Sequence, residues 1–413
     1  MADERSLTGE ARRLARGGEK AAAEAVIGEL LGSVFGMKVA RVVLRDDVYS
    51  LNSLNGFVDD GEREFFFKFH QEDGEAPGEY YNAEILASAG LPVEAPLEVS
   101  RRAGEQILLY RRVSDPRFAD LCRDSDGDND GDGDGGLRSE LARAQEELDA
   151  KVGEVLCESL HSATAEEIEA EPIHRLFSGR LSGGRVEQFY GGRIFEFPGI
   201  KLHWDELSRA RWVINGVEHP HTVGELFALA AAELSPAAFM ADGGAAVVAH
   251  GDAHNANIFA RRGGDGDLAL RYFDPAFAGC HVPALLAEVK ATFHNVFAHR
   301  HWLYEPELSE YMVTARREGD FLVCGHDWDL TPLRRAFLAS KAERVWRPLL
   351  GEMGRRGMLG GGYERRLGLA LFCCPTLVLP LRAGRMGQTP RSSLLGWMLA
   401  LTVASSGYEF CTN

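Results

Sequence analysis

The chain has 413 residues, with 45 Lys and Arg set against 62 Asp and Glu, a formal charge of −17 at pH 7. At 45% hydrophobic and 26% charged it carries the apolar content of a folded protein, which excludes disorder throughout and suggests two or three structural units. The acidic balance argues against a nucleic-acid binder or a partner of anionic membranes, both of which need a basic footprint.

Met1 to Arg16 is polar and charged, without the apolar run of a secretory signal, so a cytoplasmic protein is expected. Residues 1 to 36 are rich in Ala, Glu and Arg, and the spacing of Leu14, Ala21, Val26, Leu30 and Leu31 predicts one or two helices. From Val39 the period changes. Runs at 40–45, 64–70 and 106–113 read as strands of a small sheet, interrupted by one helix at about 79–89 that Gly90 and Pro92 stop. Residues 124–136 alternate Asp with Gly, Asn or Ser. No register places a Glu where a calcium loop needs it, so this run reads as a solvated, flexible insertion.

Beyond the insertion the chain reads as largely helical, with helices at 137–162, 222–234, 283–299 and from Pro332 onward, around an aromatic and glycine-rich elaboration at 177–221. The apolar stretch 367–381 is too short to span a bilayer and is broken by Pro375 and Pro380, so it reads as packed helix. Seven scattered cysteines lack the paired spacing of a zinc site and read as reduced thiols. Only seven of the 45 cationic residues are lysines, which makes each lysine a better lead than usual.

The most informative segment is Ala245 to Gly279. The glycine-rich run 263–267 is a turn signal, so 258–262 and 268–273 should pair as a hairpin, placing Asn257 opposite Phe273 and next to Asp274. Two oxygen-bearing side chains then meet at the open end of the hairpin, where they could share a hard cation such as Mg²⁺. Asn255 is a second, less well spaced candidate for the same ligand. Asp252 lies in the loop that enters the hairpin, where its carboxylate could reach a substrate hydroxyl.

The spacing His250-x-Asp252-x₄-Asn257, with Asp274 ending the next strand, resembles the catalytic and metal-binding segments of protein-kinase-like phosphotransferases. More narrowly, His-Gly-Asp-Ala-His-Asn-Ala-Asn-Ile and Phe-Asp-Pro-Ala-Phe-Ala-Gly are similar to the aminoglycoside phosphotransferase and choline kinase branch, including a His at 254. The resemblance implies an upstream strand lysine paired with a helix glutamate, matched by Lys68 and Glu84. It implies a phosphate-covering loop at 50–57, which contains Ser53 and Asn55. Leu160-His-Ser-Ala163 resembles the helix end that precedes the substrate region of this branch.

The fold implied is α+β, a two-lobed kinase-like arrangement. It comprises a nucleotide-binding lobe over 1–113, the acidic insertion at 114–136 and a helical catalytic and substrate-binding lobe over 137–413. The implied activity is transfer of the γ-phosphoryl group of ATP, with Mg²⁺, to a hydroxyl of a small molecule. In that reading Asp252 accepts or orients the hydroxyl proton, His250 orients the loop, Asn257 and Asp274 hold Mg²⁺, and Lys68 steadied by Glu84 engages the other phosphates.

For the acceptor, the near balance of six basic against five acidic residues over 177–221 favours a sugar or amino sugar over a polycationic aminoglycoside or an amino alcohol. Aromatic residues there (Phe189, Tyr190, Phe195, Phe197, Trp204, Trp212), with His294, His299, Trp302 and Tyr304, would suit stacking on a sugar ring or another neutral metabolite, although the usual burial of such rings favours core for most of them. Two other classes stay open: a metal-dependent hydrolase using His250, Asp252, His254 and His281, and a noncatalytic kinase-like binding protein.

Overall fold

Residues 7–45, 53–70, 82–100, 102, 105–125, 135–241, 243–264 and 266–412 are described by the computed structural model of the chain. Two compact units result, the first from Met1–Ala87 and Val93–Asp115, the second from Ser88–Pro92 and Pro116–Asn413.

In the first unit the N-terminal periodicity yields α1 (Leu7–Arg16) and α2 (Lys20–Phe35). Ala23, Ile27, Leu30 and Leu31 form the buried stripe of α2, and Gly36, in the left-handed region at φ 65°, closes the helix. The strands β1 (Arg41–Leu44), β2 (Ser53–Asp59), β3 (Glu64–His70), β4 (Glu98–Ser100) and β5 (Ile107–Arg111) form an antiparallel sheet of order β1-β2-β3-β5-β4. A single helix, α3 (Asn82–Ser88), follows β3. Leu54, Val58, Phe67, Ile107 and Leu109 pack with Ile27, Leu30 and Leu31 into one core.

The strand β2 departs from the sequence reading, which took 50–57 as a phosphate-covering loop. Residues 50–52 lie outside the described residues, whereas Ser53 and Asn55 sit on a strand, paired in register with His70 and Lys68. Gly56, within the segment 50–57 for which the resemblance implies a loop, serves close strand packing. A Cβ there would stand 2.3 Å from the Val43 carbonyl oxygen and 2.8 Å from the Phe67 ring.

The second unit begins with α4 (Phe118–Ser125) and the 25-residue α5 (Gly135–Ser159). Part of the range read as a flexible insertion is therefore helix, because Phe118 and Cys122 supply a buried face; 126–134 lie outside the described residues. The elaboration over 177–221 consists of short helices, α7 (Ser178–Ser182) among them once α6 (Ala165–Ala170) is counted, and of two hairpins. The first hairpin joins Ile194–Phe197 to Ile200–His203, and the second joins Arg211–Ile214 to Val217–Glu218. Its aromatics are mostly core. Tyr190 and Phe195 are fully buried, and Tyr190 stacks on Trp204 at 5.2 Å and packs against Trp397 at 5.1 Å between ring centroids. Phe197, Trp212, His299 and Trp302 are buried as well, whereas Phe189 and Trp204 are half-buried. Tyr304, at 45% exposure, is the clear exception.

Two further departures concern helix and strand limits. The helix expected over 283–299 is helical only from Val289–Thr292 onward, continuing as a wider turn over Phe293–Phe297, because Gly279–Pro283 is a strand paired with Ala245–Ala249. A hairpin of Val313–Glu318 with Phe321–His326 was not anticipated at all. As expected, the apolar stretch at 367–381 is packed helix as far as Thr376, in the helix Tyr363–Thr376 that packs against Pro390–Thr412, with 377–381 beyond its end; among the described residues no helix is long and apolar enough to cross a membrane. The six cysteines with described side chains are all free.

Candidate active site

The strand Ala245–Ala249 runs into the loop that carries His250 and Asp252. Gly251, at φ 75°, makes this turn, and a Cβ there would lie 2.4 Å from the Phe277 carbonyl oxygen. His250 is 2% exposed and spends both ring nitrogens on the backbone. Its Nε2 donates to the Phe273 carbonyl at 3.1 Å, and its Nδ1 accepts from the Asp252 N–H at 3.3 Å. Burial holds the imidazole below its ordinary value, in keeping with a neutral ring that positions the loop instead of exchanging protons.

The predicted hairpin is present. Ile258–Arg262 pairs with Leu268–Tyr272 so that Ile258 faces Tyr272, and the Phe273 N–H donates to the Asn257 carbonyl at 2.9 Å. Asn257 is thereby set beside the Phe273–Asp274 step. The Asn257 amide nitrogen donates to the Asp252 carbonyl at 2.9 Å, which turns its Oδ1 the other way, available to a cation. Asp274 adopts the left-handed region at φ 55°, a conformation that a non-glycine residue holds only when its surroundings dictate it. Two oxygen donors at one hairpin end suit a hard cation such as Mg²⁺, which takes few protein ligands and completes its shell from phosphate and water. Asn255 does not compete for this place. It is buried, its N–H donates to Asn295 Oδ1 at 2.8 Å, and its Nδ2 points to Cys122 Sγ.

Asp252 is the centre of the site's electrostatics. Its Oδ1 is buried and has no hydrogen-bond partner; Lys290 Nζ stands 3.6 Å away, too far to hydrogen-bond, and His254 Nε2 lies 3.7 Å from Oδ2. Burial pushes the carboxyl up. Lys290, then His254, His250 and Arg180, outweigh that effect and leave it below the usual carboxylate range. Asp252 is therefore an anion with an unsatisfied acceptor, held ready for a donor.

Lys290 and Arg180 escaped the sequence reading. Lys290 is 5% exposed, on the short helix after the Asp-Pro segment, and it hydrogen-bonds His294 Nε2 at 3.1 Å, whose Nδ1 in turn meets the Tyr304 hydroxyl at 2.7 Å. The scarcity of lysines was a usable signal for it, but only Lys68 was followed up. Arg180 on α7 lies within electrostatic reach of Asp252 and His294. No local pattern marks it.

Lys68 lies on β3 of the first unit, half-buried, with Asn55 opposite it and buried. The expected partnership with Glu84 is not formed. Asn82, Ala83 and Leu86 make the buried face of α3, and a step of about 100° per residue turns Glu84 away from it, so that it stands exposed. Among the described residues no cation pairs with it. The hydrolase alternative lacks its ligand set too, since the described residues hold no group of three His, Cys, Asp or Glu arranged to bind a metal, and His281 is engaged with His161 at 2.9 Å.

No protein family matches the chain by its sequence, and no curated protein does. Solved structures similar to this chain include an aminoglycoside phosphotransferase in a thermostable, ligand-free form, at TM-score 0.42 and 13% identity over 92% of this chain and 98% of that one. A microcompartment-associated aminopropanol kinase gives 0.44 and 12% over 94% and 99%, and an ethanolamine kinase from Plasmodium vivax gives 0.37 and 10% over 90% and 78%.

Proposed function

We propose that the chain is an ATP-dependent phosphotransferase that moves the γ-phosphoryl group to a hydroxyl of a small molecule. The observation that carries this reading is the buried, partnerless Oδ1 of an ionised Asp252, beside the hairpin end that presents Asn257 and Asp274. An acceptor hydroxyl would fill that vacancy by donating to Oδ1, which orients its oxygen for attack and gives the proton a destination. Asn257 and Asp274 would hold Mg²⁺, which supplies charge neutralisation to the phosphates. Lys68 is assigned to the phosphates that are not transferred, without help from Glu84. His250 fixes the loop that carries Asp252.

A sugar or amino sugar remains the acceptor class favoured by the charge balance over 177–221, with an aminoglycoside or amino alcohol as the alternative. The aromatic support for a sugar is weakened, since most of those rings are core. A screen of small hydroxyl compounds for acceptor-dependent release of ADP from Mg·ATP tests the reading. Release that requires Asp252 supports it; release absent with every acceptor, in a protein that also fails to bind Mg·ATP, refutes it.

A further inference from the structure

The groups that converge on Asp252 carry more positive than negative charge. Lys290 is buried, and beyond its distant contact with Asp252 its hydrogen-bond partner is the ring of His294. Burial, then Lys290, His254 and Arg180, keep His294 well below its ordinary value. Arg180 is half-buried, and among the described residues no acceptor hydrogen-bonds or ion-pairs with its guanidinium. Its five donors are thus partly out of water with nothing to receive them, an arrangement that costs free energy until an anion arrives. Asp252 thus has Lys290 at 3.6 Å and Arg180 within electrostatic reach, with Asp274 the second carboxylate near this cluster.

We propose that the acceptor carries an anionic group close to the hydroxyl that is phosphorylated, and that Arg180 and Lys290 bind this group. The proposal rests on the phosphotransferase reading and narrows its acceptor class, from the sugars favoured by the charge balance over 177–221 to a hydroxylated carboxylate or phosphate such as a sugar acid or sugar phosphate. The chemistry balances as an ordinary transfer. The acceptor oxygen bonds to the γ-phosphorus, the bond from that phosphorus to the β,γ-bridging oxygen breaks, ADP departs, and the hydroxyl proton passes to Asp252. A guanidinium matches the planar fork of a carboxylate or two oxygens of a phosphate, and Lys290 adds a point charge between the anion and Asp252. A polycation would meet like charges in the same place.

The test compares matched six-carbon acceptors, gluconate, glucose 6-phosphate, glucose and glucosamine, by specificity constant with Mg·ATP and by calorimetric binding with Mg·AMP-PNP present. One of the two anions should lead glucose by about tenfold or more, and which one leads tells carboxylate from phosphate. Arg180→Gln should collapse that anion-to-glucose ratio by about tenfold, mainly through KM, and Arg180→Lys should restore part of it; Lys290→Gln supplies an independent second variant. If the anions bind with this Arg180 dependence but no acceptor releases ADP, the anion site stands and the phosphotransferase reading falls. If glucose or glucosamine is turned over better than both anions, the reading stands and the anion proposal is overturned. A ratio unchanged in both variants, or no binding by either anion, overturns it as well.

Discussion

Lys341 and Lys290 are both buried beside carboxylates in the second unit, and they differ in how completely those carboxylates are satisfied. Lys341 Nζ is 2.7 Å from Asp149 Oδ1 and 2.6 Å from Glu288 Oε2, while Gln145 and Ser340 donate to Asp149 at 2.8 and 2.7 Å. Burial lowers the pKa of Lys341, but Asp149 and Glu288 overcome it and raise it above the ordinary lysine value. Both carboxylates of this network hold a donor, and only Gln145 Oε1 among its named groups is buried without one. The network ties α5 to the segment that carries Lys290, two residues after Glu288. Lys290 itself keeps 3.6 Å from a carboxylate oxygen that bonds nothing. A buried charge with every partner in place is scaffold, whereas one with a vacancy left beside it is positioned for something that arrives.

That contrast can be broken in several ways, taken from the largest expected effect down. Asp274→Ala should abolish transfer even at saturating ATP and weaken Mg²⁺-dependent nucleotide binding; unchanged Mg²⁺ dependence in a titration would show that the hairpin end is not the metal site. Lys341→Met should cost about 3–5 kcal/mol of stability, read by denaturant unfolding, because it leaves two buried carboxylates uncompensated. The contribution of Lys341 is fully present below the unfolded lysine value of about 10.4 and is lost only as pH rises through the higher folded value, so unfolding at pH 7 and 9 should give the same loss. Lys290→Met should show the opposite balance, with stability changed by less than about 1.5 kcal/mol and kcat/KM lowered about tenfold or more.

Smaller effects are expected in the first unit and in the acidic run. Lys68→Ala should raise the KM for ATP. Adding Glu84→Ala should change nothing further and Glu84→Ala alone should be within about 0.5 kcal/mol of the parent, since α3 turns that side chain to solvent. A coupling above about 1 kcal/mol in the double-mutant cycle would mean that the pair forms during turnover. Deleting residues 126–134 should leave activity and Tm almost unchanged, as the composition of that run implies.

The parts of the site that were legible in the sequence are those fixed by local geometry. The turn run at 263–267 determines the register of its hairpin, and with a period of two the register alone brings Asn257 to Asp274. Lys68 was legible on its strand for the same reason. Lys290 and Arg180 reach Asp252 from distant points of the chain through helix packing, for which no spacing rule exists. The aromatics over 177–221 stayed open between core and binding rings because both have the same composition; packing against Trp397 and Phe227 identifies core rings among them. Likewise Gly56 stood within a segment for which the resemblance implied a loop, until the approach of the Val43 carbonyl gave its reason.

The central claim is that Asp252 receives the acceptor hydroxyl, and the most direct test is turnover by Asp252→Asn with ATP binding measured on the same preparation. The account predicts acceptor-dependent ADP release reduced by roughly 10²–10⁴-fold with nucleotide affinity nearly intact, because the substitution removes the proton's destination and leaves the hairpin in place. Turnover within threefold of the parent would contradict it.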